Sequence, residues 1–168
     1  MRLSEYTDYT LRVLMYCAAH PDRQVTIAEM AGQHGVSKNH LMKIVSELAR
    51  RGLLETTRGR GGGVRLLKPP ADIRVGDVVR NSETDFRLAE CFDPRTSACL
   101  LMPSCRLKGV FQSALQAYFK ELDGITLADI AGPVPPTPAA GMAPRRSRTA
   151  VPIIAPATRR RTPAKLGA

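Results

Sequence analysis

Three of the four cysteines fall within fifteen residues, in CFDPRTSACLLMPSC (91–105), and that segment carries no histidine. Three chemistries suit such a grouping: a disulfide, a metal centre, or unreactive thiols in a core. Zinc sites draw their thiolates in C-x(2–4)-C pairs, because a short loop aims two sulfurs at one small ion. Cys91, Cys99 and Cys105 are separated by seven and five residues, so no such pair exists. Wider, irregular spacing suits an iron-sulfur cluster, whose iron atoms lie apart and each take a thiolate. Cys105 stands at the start of a long predicted helix, where unpaired amides and the helix dipole favour a thiolate or an anionic cluster. Cys17 lies near the apolar face of an earlier predicted helix and reads as a small core residue.

A second group of residues could touch nucleic acid. SKNHLMK supplies Ser37, Lys38, Asn39, His40 and, one turn on, Lys43, all off the apolar stripe of Leu41, Ile44, Val45 and Leu48. Serine and lysine suit phosphates, and asparagine can bind adenine through two hydrogen bonds. Arg58 and Arg60 bracket Gly59 in TTRGRGGGVRL, where small residues allow close approach to a sugar-phosphate rail or entry of an arginine into the minor groove. From Ser37 to Lys68 eight basic residues face two acidic ones, a local +6. The glycine run is not a nucleotide-cradling loop, because VRLLKPP follows it and opens no helix.

The elements that position these groups can be read from caps and periodicity. SEYTDYTLRVLMYCAA (4–19) repeats apolar residues at helical spacing through Leu11, Leu14, Met15, Ala18 and Ala19. Thr26 with Glu29 three residues on is a capping box, and Gly35 is placed to end that helix. Ser37 caps the next helix and Gly52 stops it. Two β-prone runs around Gly59–Gly63 form a hairpin, and a short helix is expected around RVGDVVRNS. Helix, tight turn, capped helix and basic hairpin, in that order, make a winged helix-turn-helix whose second helix enters the major groove. The fold is therefore expected to be mainly α. A long helix over about 104–122 carries Leu107, Val110, Phe111, Leu115, Tyr118, Phe119 and Leu122, more apolar surface than one small winged domain covers, so part of it reads as a dimer seam.

Composition sets the outer limits. The chain has 168 residues, 25 Lys and Arg against 15 Asp and Glu, a formal +10, and no Trp. Residues 133–168 hold eight prolines, seven basic residues and no acid. We expect 1–131 to form the regulator domain, with the cysteine segment 91–105 inside it, and 132–168 to be a disordered basic tail. Without the tail the balance is 18 basic to 15 acidic residues, so the local charge at 37–68 carries the case for DNA. Glu5 and Asp8 stand where a secretory signal would be positive, and VLMYCAA is too short to span a bilayer, which predicts a cytoplasmic protein without a membrane partner. In that reducing compartment a disulfide is the least favoured of the three thiol chemistries. No Ser-His-Asp grouping is recognisable, and His20, His34 and His40 fall in separate elements, so the reading is not an enzyme.

The stretches MRLSEYTDYTLRVLMYCAA, GVSKNHLMKIVSELARRGLLETTRGRGGGVRL and GDVVR, with the three downstream cysteines, closely resemble the iron-sulfur repressors of the Rrf2 type, over about residues 1–131. Within that type the chain is most similar to the nitric-oxide-sensing members. The resemblance implies a dimer joined through the long helix, with Cys91, Cys99 and Cys105 ligating the cluster. Some members place a histidine three residues after the last cysteine. Here that position is Lys108, which cannot serve. The nitric-oxide-sensing members instead take the fourth ligand from an aspartate early in the first helix of the other subunit, the position of Asp8 here. The resemblance thus implies a repressor of double-stranded operator DNA that binds a 4Fe-4S cluster, favoured over 2Fe-2S, and yields to nitric oxide so that detoxification genes are expressed. The alternatives are a sensor of iron or cluster supply with the same fold, or an electron carrier. The second would leave the reading helix and wing without a task.

Overall fold

The computed structural model describes residues 2–93, 95, 97–101 and 104–132. Of the tail expected over 132–168, residues 133–168 lie outside the described residues. Among the described residues, six helices and one two-stranded sheet follow in the order α1 (Glu5–Ala18), α2 (Ile27–His34), α3 (Lys38–Arg50), β1 (Leu54–Thr56), β2 (Val64–Leu66), α4 (Val75–Ser82), α5 (Arg106–Gly124) and α6 (Leu127–Ile130), with 3-10 turns at Pro70–Asp72 and Glu90–Phe92. The fold is mainly α, a winged helix-turn-helix. Among the described residues, no helix is long and apolar enough to cross a membrane.

Local chemistry sets the helix ends. Ser4 caps α1 by accepting from the Thr7 amide at 3.2 Å. The capping box of α2 is complete, since Thr26 accepts from the Glu29 amide at 3.1 Å and Glu29 accepts from the Thr26 amide at 3.4 Å. Gly35 ends α2 at φ 65°, a left-handed conformation that costs glycine little, and this lets α3 begin three residues later. The turn is short because both of its ends are capped.

The core collects the apolar stripes of α1, α2 and α3. Leu14, Met30, Leu41 and Ile44 are fully buried, joined by Val25, Leu54, Val64, Ile73 and Leu127. Each such leucine or isoleucine contributes roughly 1.5–3 kcal/mol relative to exposure. Cys17 belongs to this core at 3% exposure, as its place on the apolar face of α1 suggested. The wing is a β1–β2 hairpin paired Leu54 with Leu66 and Thr56 with Val64, and Val25 adds a single bridge to Val64.

Hydrogen bonds and an ion pair help join the remaining elements to this head. Glu83, just past α4, accepts from the Ser4 amide at 2.8 Å and from the Thr7 hydroxyl at 2.9 Å, which ties the start of α1 to the end of α4. These donors hold the Glu83 carboxyl below its ordinary range, the Ser4 amide first. Arg80 of α4 pairs with Asp123 of α5. After α5 the chain returns, and Thr126 bridges to Arg74 while Leu127 donates to the Ile73 carbonyl at 2.8 Å. The long helix, expected over about 104–122, begins and ends two residues later and runs about 28 Å. None of its residues is fully buried, and Leu107 and Val110 are 55% and 60% exposed.

Candidate functional site

The exposed face of α3 is built by its cap and its stripe. Leu41, Ile44, Val45 and Leu48 face the core, so positions 39, 42, 43 and 46 turn outward together at the spacing of one helical face. Ser37, Lys38, Asn39 and Lys43 are exposed, as the sequence placed them. Ser37 accepts from the His40 amide at 3.2 Å, which leaves its hydroxyl proton free to donate to a phosphate. His40 is in a different setting: it is half-buried, with its ring edge-on to Tyr9 of α1 at 5.3 Å. It anchors the start of α3 as well as bordering the face. Two positions were missed by the sequence reading. Met42, 48% exposed, and Ser46 line a shallow hollow with Asn39, Lys43 and Glu47. Methionine there offers an apolar contact of the kind a thymine methyl takes. The signal was available, since both residues lie three and seven positions after Asn39.

The charge on this surface is more focused than the sequence count implied. Arg50 and Arg51 both bond Glu47, at 2.7 and 2.6 Å, and hold its carboxyl down to about 2. Arg65 pairs with Glu55 across the hairpin at 2.7 Å. Among the described residues, Lys38, Lys43, Arg58, Arg60 and Lys68 are in no ion pair, so the uncompensated positive charge sits at the start of α3, on the wing and at its base. Arg58 and Arg60 are exposed. Two of the glycines beside them also have a structural task. A Cβ on Gly62 would overlap the Thr57 carbonyl, and one on Gly63 would lie 2.8 Å from the Val25 carbonyl, so these glycines close the wing on its own backbone.

The orientation of α2 against α1 is held by a second charge group. Glu29 accepts from Arg23 and, at 2.8 Å, from the Tyr16 hydroxyl; Arg23 first, then Tyr16, keep its carboxyl down at about 2 against the cost of burial. The same residue completes the α2 capping box, so one carboxylate fixes both the start of the helix and its angle.

Cys91, Cys99 and Cys105 are free thiols, each partly exposed. Cys105 occupies the cap position of α5, one residue before the first helical turn, and its side chain makes no capping bond. Three uncommitted sulfurs, one of them beside unpaired helix amides, fit an iron-sulfur cluster in donor chemistry. Among the described residues, however, no three Cys, His, Asp or Glu side chains converge closely enough to hold a metal. Pro94, Thr96, Met102 and Pro103, which lie between the cysteines, are outside the described residues. Asp8 is on the outer side of α1, 47% exposed, paired with Arg12 at 2.8 Å, and is not brought to the cysteines of its own chain. Cys17 is set apart from all three: burial pushes its thiol up to about 12.

Comparison with known proteins bears on both surfaces. The Rrf2 family model, described as iron-dependent transcriptional regulator, matches residues 3–133. The HTH-type transcriptional regulator NsrR of Bacillus subtilis is 48% identical over 131 residues, 77% of this chain and 90% of that protein. Protein aau3 of Rhizobium meliloti is 45% identical over 130 residues, covering 77% of this chain and 84% of the relative. Among solved structures, T. potens IscR is similar at a TM-score of 0.62 and 26% identity, over 77% of this chain and 85% of that one. Staphylococcus aureus CymR, at 24% identity and a TM-score of 0.63 over 78% and 96% of the two chains, shares the fold.

Proposed function

This chain belongs to the Rrf2 family of iron-dependent transcriptional regulators, and from that premise we propose that it is a homodimeric repressor which holds a palindromic operator while an iron-sulfur cluster is bound and lets go in the presence of nitric oxide. It is a transcriptional regulator and not an enzyme. The observation that carries the reading is the pairing of an uncompensated basic reading face, Lys38, Asn39, Lys43, Arg58 and Arg60, with three free, partly exposed thiols in one segment.

Cys91, Cys99 and Cys105 of one protomer would hold the cluster, of the 4Fe-4S type, and Asp8 of the other would complete it. When bound, the group supplies an iron atom that a small diatomic ligand can reach, because a carboxylate oxygen is a harder and more replaceable donor than a thiolate. Asp8 lies in the same helical turn as Thr7, which Glu83 grips. Supplying a ligand across the dimer therefore pulls on the joint between α1 and α4. The exposed apolar side of α5, with Leu107 and Val110, supports its service as the dimer seam. Half-sites on DNA repeat about every 34 Å, so a small rotation between two heads costs contacts in both grooves at once.

The test is an anaerobic titration of nitric oxide into the metal-loaded protein, following the visible spectrum and operator binding together. The expected result is brown, iron-containing protein whose spectrum and DNA affinity collapse over the same range. Colourless protein with stoichiometric zinc would overturn the cluster, and unchanged DNA binding would overturn nitric oxide as effector. The family's iron dependence favours a second reading, sensing of iron supply, in which iron chelation alone releases the operator at physiological chelator strength.

A further inference from the structure

We infer that Gln24, in the loop between α1 and α2, is a positioning residue for DNA binding: by holding Thr57 it sets the tilt at which the wing presents Arg58 and Arg60. The inference rests on the reading of those two arginines as DNA contacts and adds a residue that acts through them.

The strands of the wing are fixed without it, since Leu54 and Val64 are buried in the core. The loop between the strands, 57–63, has no such anchor, and Thr57 to Gly61 are exposed. It is closed on itself by bonds from the Thr57 amide to the Gly63 carbonyl at 2.8 Å and from the Gly62 amide to the Gly59 carbonyl at 3.1 Å. Those bonds set its shape and leave its tilt against the head open. The tilt is fixed from outside. On the β2 side Val25 and Val64 exchange two backbone bonds, of 2.9 and 2.8 Å, and a Cβ added to Gly63 would lie 3.0 Å from the Gln24 Cβ. On the β1 side the Gln24 side-chain amide donates to the Thr57 hydroxyl at 3.1 Å. Residue 24 therefore meets the loop at both of its ends, and Arg58 directly follows Thr57. Holding the loop in one tilt before DNA arrives lowers the ordering cost of binding.

The chemistry of this contact points to positioning more than to stability. Gln24 is half-buried, and its amide oxygen is buried without a hydrogen-bond partner among the described residues. A buried acceptor left unmade costs at least as much as one neutral hydrogen bond returns. Leucine would fill much of the same space and leave no acceptor unmade. Gln24 is itself held from the head: Arg23 donates to its carbonyl at 3.3 Å and to Glu29 at 3.0 Å, and Glu29 also takes the Tyr16 hydroxyl. A chain of polar contacts thus runs from α1 and α2 to the wing.

The experiment measures the affinity of the full chain, purified without oxygen, for a fluorescein-labelled duplex selected from a random pool on the natural protein, across a salt series, with urea midpoints of the same samples. Gln24→Leu should bind about fivefold more weakly and lower the slope of log affinity against log salt by about 0.9 or more, with the urea midpoint unchanged or raised. Thr57→Val should do the same, whereas Thr57→Ser, which keeps the hydroxyl, should bind like the natural chain. Added to Arg58→Ala with Arg60→Ala, Gln24→Leu should cost nothing further. Unchanged affinity in Gln24→Leu beside a loss in the arginine variants would overturn this inference alone. So would a lowered urea midpoint, or an equal further loss in the double-arginine background, either of which makes Gln24 a structural residue only. Unchanged affinity in Arg58→Ala and Arg60→Ala would overturn the reading of the wing and this inference with it.

Discussion

Arg80 of α4 and Asp123 of α5 meet through two parallel hydrogen bonds of 2.6 Å each, and the guanidinium also lies over the Phe119 ring at 4.3 Å. This pair sets how the long helix leaves the DNA-reading head. It packs against Gly76, where an added Cβ would force the Asp123 carboxylate to shift. Two chemically unlike positions therefore form one joint.

Gly76→Ala should affect the joint more than the stability. Alanine gains about 1 kcal/mol over glycine inside a helix, which offsets the loss of a pair exposed enough to be screened. The denaturation midpoint should move little, while operator affinity falls roughly fivefold. Asp123→Ala should do the same, and the double variant no worse. Additive losses in operator affinity would show that the two residues act separately.

The four thiols should divide three to one. In metal-free protein under native conditions iodoacetamide should label Cys91, Cys99 and Cys105, which are partly exposed, and leave Cys17 intact, as peptide mass spectrometry can report. The raised Cys17 value also has a sign. Its contribution is fully present below about pH 9, where the unfolded thiol is still protonated, and is lost as pH rises from there toward 12, at up to about 1.4 kcal/mol per pH unit. Cys17→Ala should flatten that alkaline decline.

Arg58→Ala and Arg60→Ala should each weaken operator binding and lower the slope of log affinity against log salt by about 0.9 if the side chain neutralises one phosphate. Arg65→Ala should do less, because Glu55 already compensates that charge. Asn39→Ala should cost about 1–3 kcal/mol against the operator and little against random DNA. Equal losses on both would move Asn39 from base reading to phosphate contact.

Glu29 should make the helix-turn-helix acid-sensitive. Its carboxyl is held down at about 2 in the folded chain, against 4.5 ordinarily, mainly by Arg23 and then Tyr16. That contribution is present above pH 4.5 and is lost as pH falls toward 2. Urea midpoints taken at pH 7 and pH 3 should differ less in Glu29→Gln than in the natural chain. An equal acid decline in both would place the sensitivity elsewhere.

Much of this protein was legible in its sequence because the deciding interactions are local. Thr26 with Glu29, Ser37, Gly35 and Gly52 mark helix ends through bonds to residues three or four positions away, so the reading helix and its outward face followed from spacing. Cys17 separated from the other thiols by periodicity, and the basic hairpin by composition. The tertiary structure decided what depends on chain segments far apart in sequence. Glu83 reaches Ser4, Gly76 makes room for Asp123, Tyr9 holds His40, and Gly63 packs on Val25, none of which leaves a trace in spacing. It also decided which charges stay uncompensated: Glu47 and Glu55 silence Arg50, Arg51 and Arg65, while Arg58 and Arg60 remain free. The physical reason is range. Caps and amphipathic faces are set within one or two turns of chain, whereas ion pairing, close backbone approach and a contact such as that of Gln24 with Thr57 arise only when separate elements are packed against one another.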